Sequence, residues 1–529
     1  MNNLKKNTHR IAFVILLFLY NAAFWKEDLG LNLLVLSTLI TVLHFAFNPI
    51  YLKNKTIVLS SILSLFSGLM VVINHSKYSI VIHFIAFYVM IGLMLMPTVR
   101  IIGSALLSSF TNHFQNPFRF LKKHDLKNEN SKGSKLRWLE IALIPFLVVV
   151  IFFIIYNLAN PVFAKYSGQF LEKIGDWISD FFEQVSFARI LFVFSGMIIL
   201  TGAIYKSGNF SINQDSNYIE LLNRTRKPVD RVFGPKMLSM GLKREYYSGL
   251  ILLLALNIMI AILNIIDINF LWINFSIPKD YSLQDMVHNG TELLIVSIFL
   301  SILVIVFLFR NQLNFYPNNI WLKRLAYIWI AQNLVLCLSV ALRNYHYIDY
   351  HGLAYKRIGV YVFLFFTVCG LISLYLKVNR KKTILYLIHT NSWIILIGLV
   401  LMCSINYDKW IAKNNLNHPN QSEIDIDFYL ELSPKALPVI YNNLDKVDQQ
   451  MKAHRNNSQI WVENLNFEAF KQQLDRSKSR FLNKQSRYSY WSWNLQDAKT
   501  KAYLKNMITK INIDNNRIDE TEQAIMADD

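Results

Sequence analysis

Long apolar runs separated by short polar links dominate the first 405 residues. A hydrocarbon core of about 30 Å needs about 20 apolar residues as a helix, because every peptide group must find its partner within the segment. Eleven runs approach that length: residues 11–25, 31–47, 56–73, 78–96, 141–159, 187–205, 250–266, 293–308, 325–342, 358–376 and 384–405. The pattern predicts an all-α fold, a polytopic transmembrane helix bundle of about eleven spans. The first two runs are short and separated only by Lys26-Glu27-Asp28-Leu29-Gly30.

Residues 160–186 carry Phe163, Phe170, Leu171, Ile174, Trp177 and Ile178 at helical spacing. That spacing predicts an amphipathic helix on the membrane face or a short helix packed on the bundle's end. Residues 267–290, with Trp272, Pro278 and Tyr281, predict an ordered cap with interface aromatics.

Beyond residue 405 the pattern changes. Asp425–Leu432 predicts a short helix, and Ser433-Pro434 supplies an N-cap followed by proline at the first helical position of a second. Residues 465–484 and 495–511 also have helical periodicity. Residues 406–511 are therefore expected to form a small helical extracytoplasmic domain resting on the bundle (residues 1–405), because its core is thin for independence. Residues 512–529 read as a loose acidic tail.

The net charge of +19 invites a nucleic-acid reading, but its distribution argues otherwise. Residues 406–529 hold 17 basic and 17 acidic side chains, so the excess lies in the first 405, with 37 against 18. Most of those bases occupy links between apolar runs, above all 97–138 and 206–249. Lys and Arg are retained in cytoplasmic loops, and the basic links fall on one side if the N-terminus is cytoplasmic. Eleven crossings then put the C-terminal region outside. Cleavage of residues 1–25 as a signal peptide is disfavoured by the poor context around Ala22-Ala23 and leaves this orientation unchanged. The basic links suit anionic headgroups of membrane lipid better than nucleic acid, because 97–138 lacks a stacking platform.

Chemistry-bearing residues are sparse inside the runs. His44, His83 and several amides are expected to make interhelical hydrogen bonds. Cys337, Cys369 and Cys403 lie in apolar runs and imply no disulfide framework. The richer cluster falls at span ends on one side: His288, Glu292, Arg343, His346, Asp349, His351, Tyr355, Arg357 and Asp408, with Asp267 nearby. Converging His, carboxylate and Arg could form a binding or catalytic pocket. The alternative is a structural lid of salt bridges and tyrosine anchors. His346 and His351, five residues apart, do not make a zinc signature, and no nucleotide loop or nucleophile elbow occurs, so no metal or cofactor is expected.

Three stretches carry a family pattern: Tyr350-His351-Gly352-Leu353-Ala354-Tyr355-Lys356-Arg357, then Asn406 to Leu416, then Asp425 to Leu430 leading into Ser433-Pro434 and Pro438. Their order resembles the bacterial polytopic membrane families known as domains of unknown function 4153 and 4173, as do Asn160-Pro161-Val162-Phe163 and Trp493-Asn494-Leu495. Ala354 stands where that pattern usually has Thr. The resemblance implies a bacterial inner-membrane protein, singles out Gly352, Tyr355, Arg357, Asp408 and Asn415, and carries no activity. Three functions fit these features: transport or lipid handling through a polar site at the outer face, a sensor or scaffold whose outer domain binds an envelope partner, or an enzyme acting on a lipid-linked substrate.

Overall fold

A computed structural model describes residues 2–122, 187–205, 222–224, 242–273, 283–310, 312–316, 318–419, 424–457 and 466–510, with isolated positions between 149 and 172. Apart from those positions, the expected span 141–159 and helix 160–186 lie outside the described residues, as do the tail 512–529 and most of link 206–249. All regular structure among the described residues is helical, save one isolated bridge between Asn223 and Lys382.

Six described helices are long and apolar enough to cross a membrane: Lys55–Asn74, Lys77–Leu95, Lys243–Ile273, Ile320–His351, Tyr355–Asn379 and Ile384–Met402. Four shorter apolar helices, Thr8–Phe24, Leu31–Phe47, Ala188–Ile204 and Leu293–Leu308, coincide with further expected runs. Their outward faces are greasy: Ile251 is 68% exposed, Ile265 67% and Leu293 70%. Left in water, each such side chain forgoes about 2 kcal/mol of burial, and contiguous apolar faces of this size mark a surface covered by a partner or by lipid. Acyl chains cover them, and the fold is that of a membrane bundle.

The chain divides into two compact units. The first comprises Met1–Val72, Ile80–Ile212 and Tyr488–Trp493. It contains α1 (Asn2–Phe24), α2 (Leu31–Phe47), most of α3 (Lys55–Asn74) and α4 (Lys77–Leu95), α5 (Ile102–Lys122) and α6 (Phe187–Ile204). Asn32 closes the α1–α2 turn: its side chain accepts from Gly30 N–H at 2.8 Å and donates to the carbonyls of Ala23 and Asp28. Tyr488–Trp493 completes the turn, since Trp493 O accepts from Leu31 N–H at 3.1 Å and Ser492 Oγ from Asp28 N–H at 2.8 Å.

α5 falls within a stretch expected to be a basic link. Its hydrophobic face is turned outward, with Leu107, Phe110 and Phe114 exposed. Its polar face is buried. Asn112 Nδ2 donates to Gly202 O and Tyr205 O, and Asn116 Nδ2 to Thr201 O and Tyr205 O. Two amides one turn apart thus meet carbonyls at the end of α6, including those of Gly202 and Tyr205, beyond the last helical bond from Tyr205 N–H to Thr201 O.

The second unit comprises Ile73–Ser79, Asn213–Arg487 and Asn494–Asp529. Its centre is α9 (Ile320–His351), packed against α7 (Leu242–Asp267), α8 (Leu283–Leu308) and α10 (Tyr355–Asn379); α11 (Ile384–Met402) packs on α10. Leu253, Ile298, Ile305, Leu322, Leu336 and Val378 form the core between them. Ile268–Ile273, expected in a cap, continue α7 as a π-helical turn. At 1.5 Å per residue the 32-residue α9 is about 48 Å long, well beyond the hydrocarbon thickness. A helix of that length extends past the hydrocarbon at one end or both.

The C-terminal helices of this unit are α12 (Tyr407–Leu416), α13 (Phe428–Glu431), α14 (Leu437–Tyr441), α15 (Leu444–Asn457), α16 (Phe467–Ser486) and α17 (495–510). Pro434 opens a 3-10 turn at its first position, as expected, but Ser433 makes no side-chain cap. Ile411, Tyr429, Ile440, Val447, Phe470 and Leu504 form their core, which also takes in Leu353 and Ile358 from the start of α10 and the turn before it.

Candidate functional site

The link expected over 343–357 is nearly all helix. Only Gly352-Leu353-Ala354 separates α9 from α10. Gly352 takes φ +77°, and a Cβ there would lie 2.6 Å from Ile424 Cδ1 and 2.8 Å from Asn415 Oδ1. Both the left-handed backbone and the close approach demand glycine.

Asn415 of α12 docks on this turn. Its Oδ1 accepts from Leu353 N–H at 2.7 Å and its Nδ2 donates to Leu353 O at 2.9 Å. Gln450 of α15 donates to Asn415 O at 2.9 Å and accepts from Tyr429 OH at 3.1 Å. His418 Nε2 lies 3.1 Å from Ile348 O. A ladder of buried amides thus joins α9, α12, α13 and α15.

Arg357 is held by the same turn. Its Nη1 donates to the carbonyls of His351 and Gly352, and its guanidinium lies 4.4 Å from the centre of the Tyr347 ring. These are the last carbonyl of α9 and that of its C-cap, where a cation is favoured by the helix dipole. Tyr355 OH donates to Asp408 Oδ1, and that same oxygen accepts from Ser433 N–H at 3.0 Å. Asp408 therefore ties α10 to the segment that opens α14.

The remaining candidates do not converge here. Arg343 forms its own ion pair with Asp267 at 2.6 Å, joining α9 to the end of α7. Asp349 is exposed, and His346 sits on α9 against Tyr345. The side chains of His288 and Glu292 lie outside those described. Among the described residues no group of three or more His, Cys, Asp or Glu side chains is placed to hold a metal ion.

Several of the intramembrane polar residues make the expected hydrogen bonds between helices, whereas Asn333 donates to Trp329 O of its own helix. His83 Nδ1 lies 3.0 Å from Ser67 Oγ, and His44 Nε2 2.8 Å from Ala203 O. Asn257 donates to Leu325 O at 3.1 Å and accepts from Gln332.

A second polar centre escaped sequence reasoning. His75, in the α3–α4 turn, pairs its Nδ1 with Asp497 Oδ2 at 2.9 Å, and its carbonyl accepts from the buried Lys435. Asn494 caps α17, its Oδ1 accepting from Asp497 N–H at 2.9 Å while its Nδ2 donates to Asp497 Oδ2. Burial pushes the Asp497 carboxyl up, but His75, Lys435 and Asn494 outweigh it and hold it below the usual carboxylate range. Asn494 directly before the helical run is an N-cap signal visible in the sequence. Gln450 was also legible, as a polar residue among the apolar positions Val447 and Met451.

A polytopic helical bundle with greasy outer faces and polar groups that pair inward is an integral membrane protein. The chain belongs to the family described as Domain of unknown function (DUF4153), whose model matches residues 12–443. That match contains every candidate in the cluster and ends before α16. No curated protein and no solved structure matches the chain.

Proposed function

We propose that this protein is a membrane scaffold or sensor whose helical region 406–511 faces the extracytoplasmic side and binds an envelope partner. The observation that carries this reading is the engagement of Arg357, Tyr355 and Asp408 in fastening the C-terminal helices to the α9–α10 turn. A transport, lipid-handling or catalytic role needs those groups turned toward a ligand. Here they meet backbone and one another. The N-terminus is cytoplasmic on this reading, and the basic links contact anionic headgroups.

Photo-crosslinkers at the exposed positions Gln472 and Ser479 of α16 test it in intact cells. A discrete protein adduct that weakens with Asn415→Ala is expected; absence of any adduct at both positions would remove the scaffold reading. Single cysteines at 122 and 510 test the orientation. An impermeant maleimide should label 510 in intact cells and 122 only after permeabilisation, and the reverse order would overturn the topology.

A further inference from the structure

A cleft of about 190 Å³ lies between α16 and the segment running from α13 into α14. Its apolar wall is Leu432, Leu437 and Leu474. Gln473, Arg476, Ser477 and Arg480 of α16 line it at spacings of three and four, so they share one helix face. Arg476 and Arg480 form no ion pair with a described carboxylate. The carboxylate beside them on α16, Asp475, is already held by Lys478 at 2.6 Å and Tyr441 at 2.8 Å. Ser433 lines the opposite wall, and its buried Oγ has no hydrogen-bond partner. No carboxylate lines the cleft. Asp408, reached through Ser433 N–H, is taken up by that donor and Tyr355.

We infer that this cleft is a phosphate-binding site, formed by Arg476, Arg480 and Ser477. Two guanidiniums one helical turn apart present paired donors that match a tetrahedral oxyanion. The volume is below the roughly 300–1,000 Å³ of sites for whole drug-sized ligands, so the cleft admits a phosphate group and the first carbons of its ester against the leucines. The site deepens the scaffold reading by naming what the outer helices recognise, and it rests on that reading for the side of the membrane it faces. The phosphate comes from a lipid headgroup or from a soluble phosphate.

The test uses the full chain in phosphatidylcholine nanodiscs. Titrated inorganic pyrophosphate should raise the melting temperature saturably. The double variant Arg476→Gln/Arg480→Gln should weaken that response at least tenfold, and Ser477→Ala by a smaller factor. Lys505→Gln/Lys510→Gln, with the same loss of charge on α17, should leave it unchanged. A second arm measures retention of phosphatidylglycerol by native mass spectrometry; retention lost in the arginine double variant assigns the source to lipid. Equal binding by wild type and the arginine double variant, or no saturable binding in either arm, overturns the site. A preserved crosslinked partner with no anion binding overturns the site and leaves the scaffold reading standing. Anion binding with no partner adduct supports the site and counts against the scaffold.

Discussion

Asn415 holds Leu353 by both of its backbone groups, accepting its N–H at 2.7 Å and donating to its carbonyl at 2.9 Å. One side chain thereby does for a three-residue turn what a strand partner does in a sheet. It works only because Gly352 has no Cβ to fill the space beside it.

Asn415→Ala leaves two buried backbone groups without partners, at about 1–3 kcal/mol each. The expected result is a large fall in melting temperature and faster proteolysis after residue 406. Gly352→Ala should act in the same direction through backbone strain and the clash with Ile424.

Tyr355→Phe removes a hydrogen bond to a carboxylate, worth about 1.5–3 kcal/mol. Its effect on cellular function should track the loss of stability. A variant with unchanged melting temperature and abolished function would show that the hydroxyl acts on a ligand.

Arg343 and Asp267 form a largely buried pair. Arg343→Leu alone strands a carboxylate and should cost about 3–5 kcal/mol, whereas Arg343→Leu with Asp267→Leu should recover most of it. Thermal unfolding of the single and double variants in one detergent measures the difference.

Asp497 gives the C-terminal helices an acid limit. Its carboxyl is held below the usual range in the folded state, so the unfolded chain binds the proton first as pH falls. Its stabilisation is complete above the ordinary carboxylate pKa of about 3.9 and is lost as pH falls through the lower folded value. Asp497→Asn should flatten this acid limb of the melting curve; an unchanged limb would show that other carboxylates set it.

The spans were legible because a membrane helix is a local object, recognised by the length and greasiness of one run. α5 was not, since Asn112, His113 and Asn116 dilute its hydrophobicity, although they face α6 rather than water. Within the candidate cluster the sequence marked Tyr355, Arg357 and Asp408 as unusual but could not say what they meet. It grouped Arg343 with them, although Arg343 pairs with Asp267 instead.

By itself, then, the chain determined that it is a helical membrane protein and which residues needed partners, since hydropathy and charge are properties of a run. Tertiary structure decided the partners: the carbonyls for Arg357, the tyrosine for Asp408 and the backbone for Asn415. A hydrogen bond requires approach to about 3 Å, and positions 62 residues apart in the chain reach that distance only when the helices carrying them have packed.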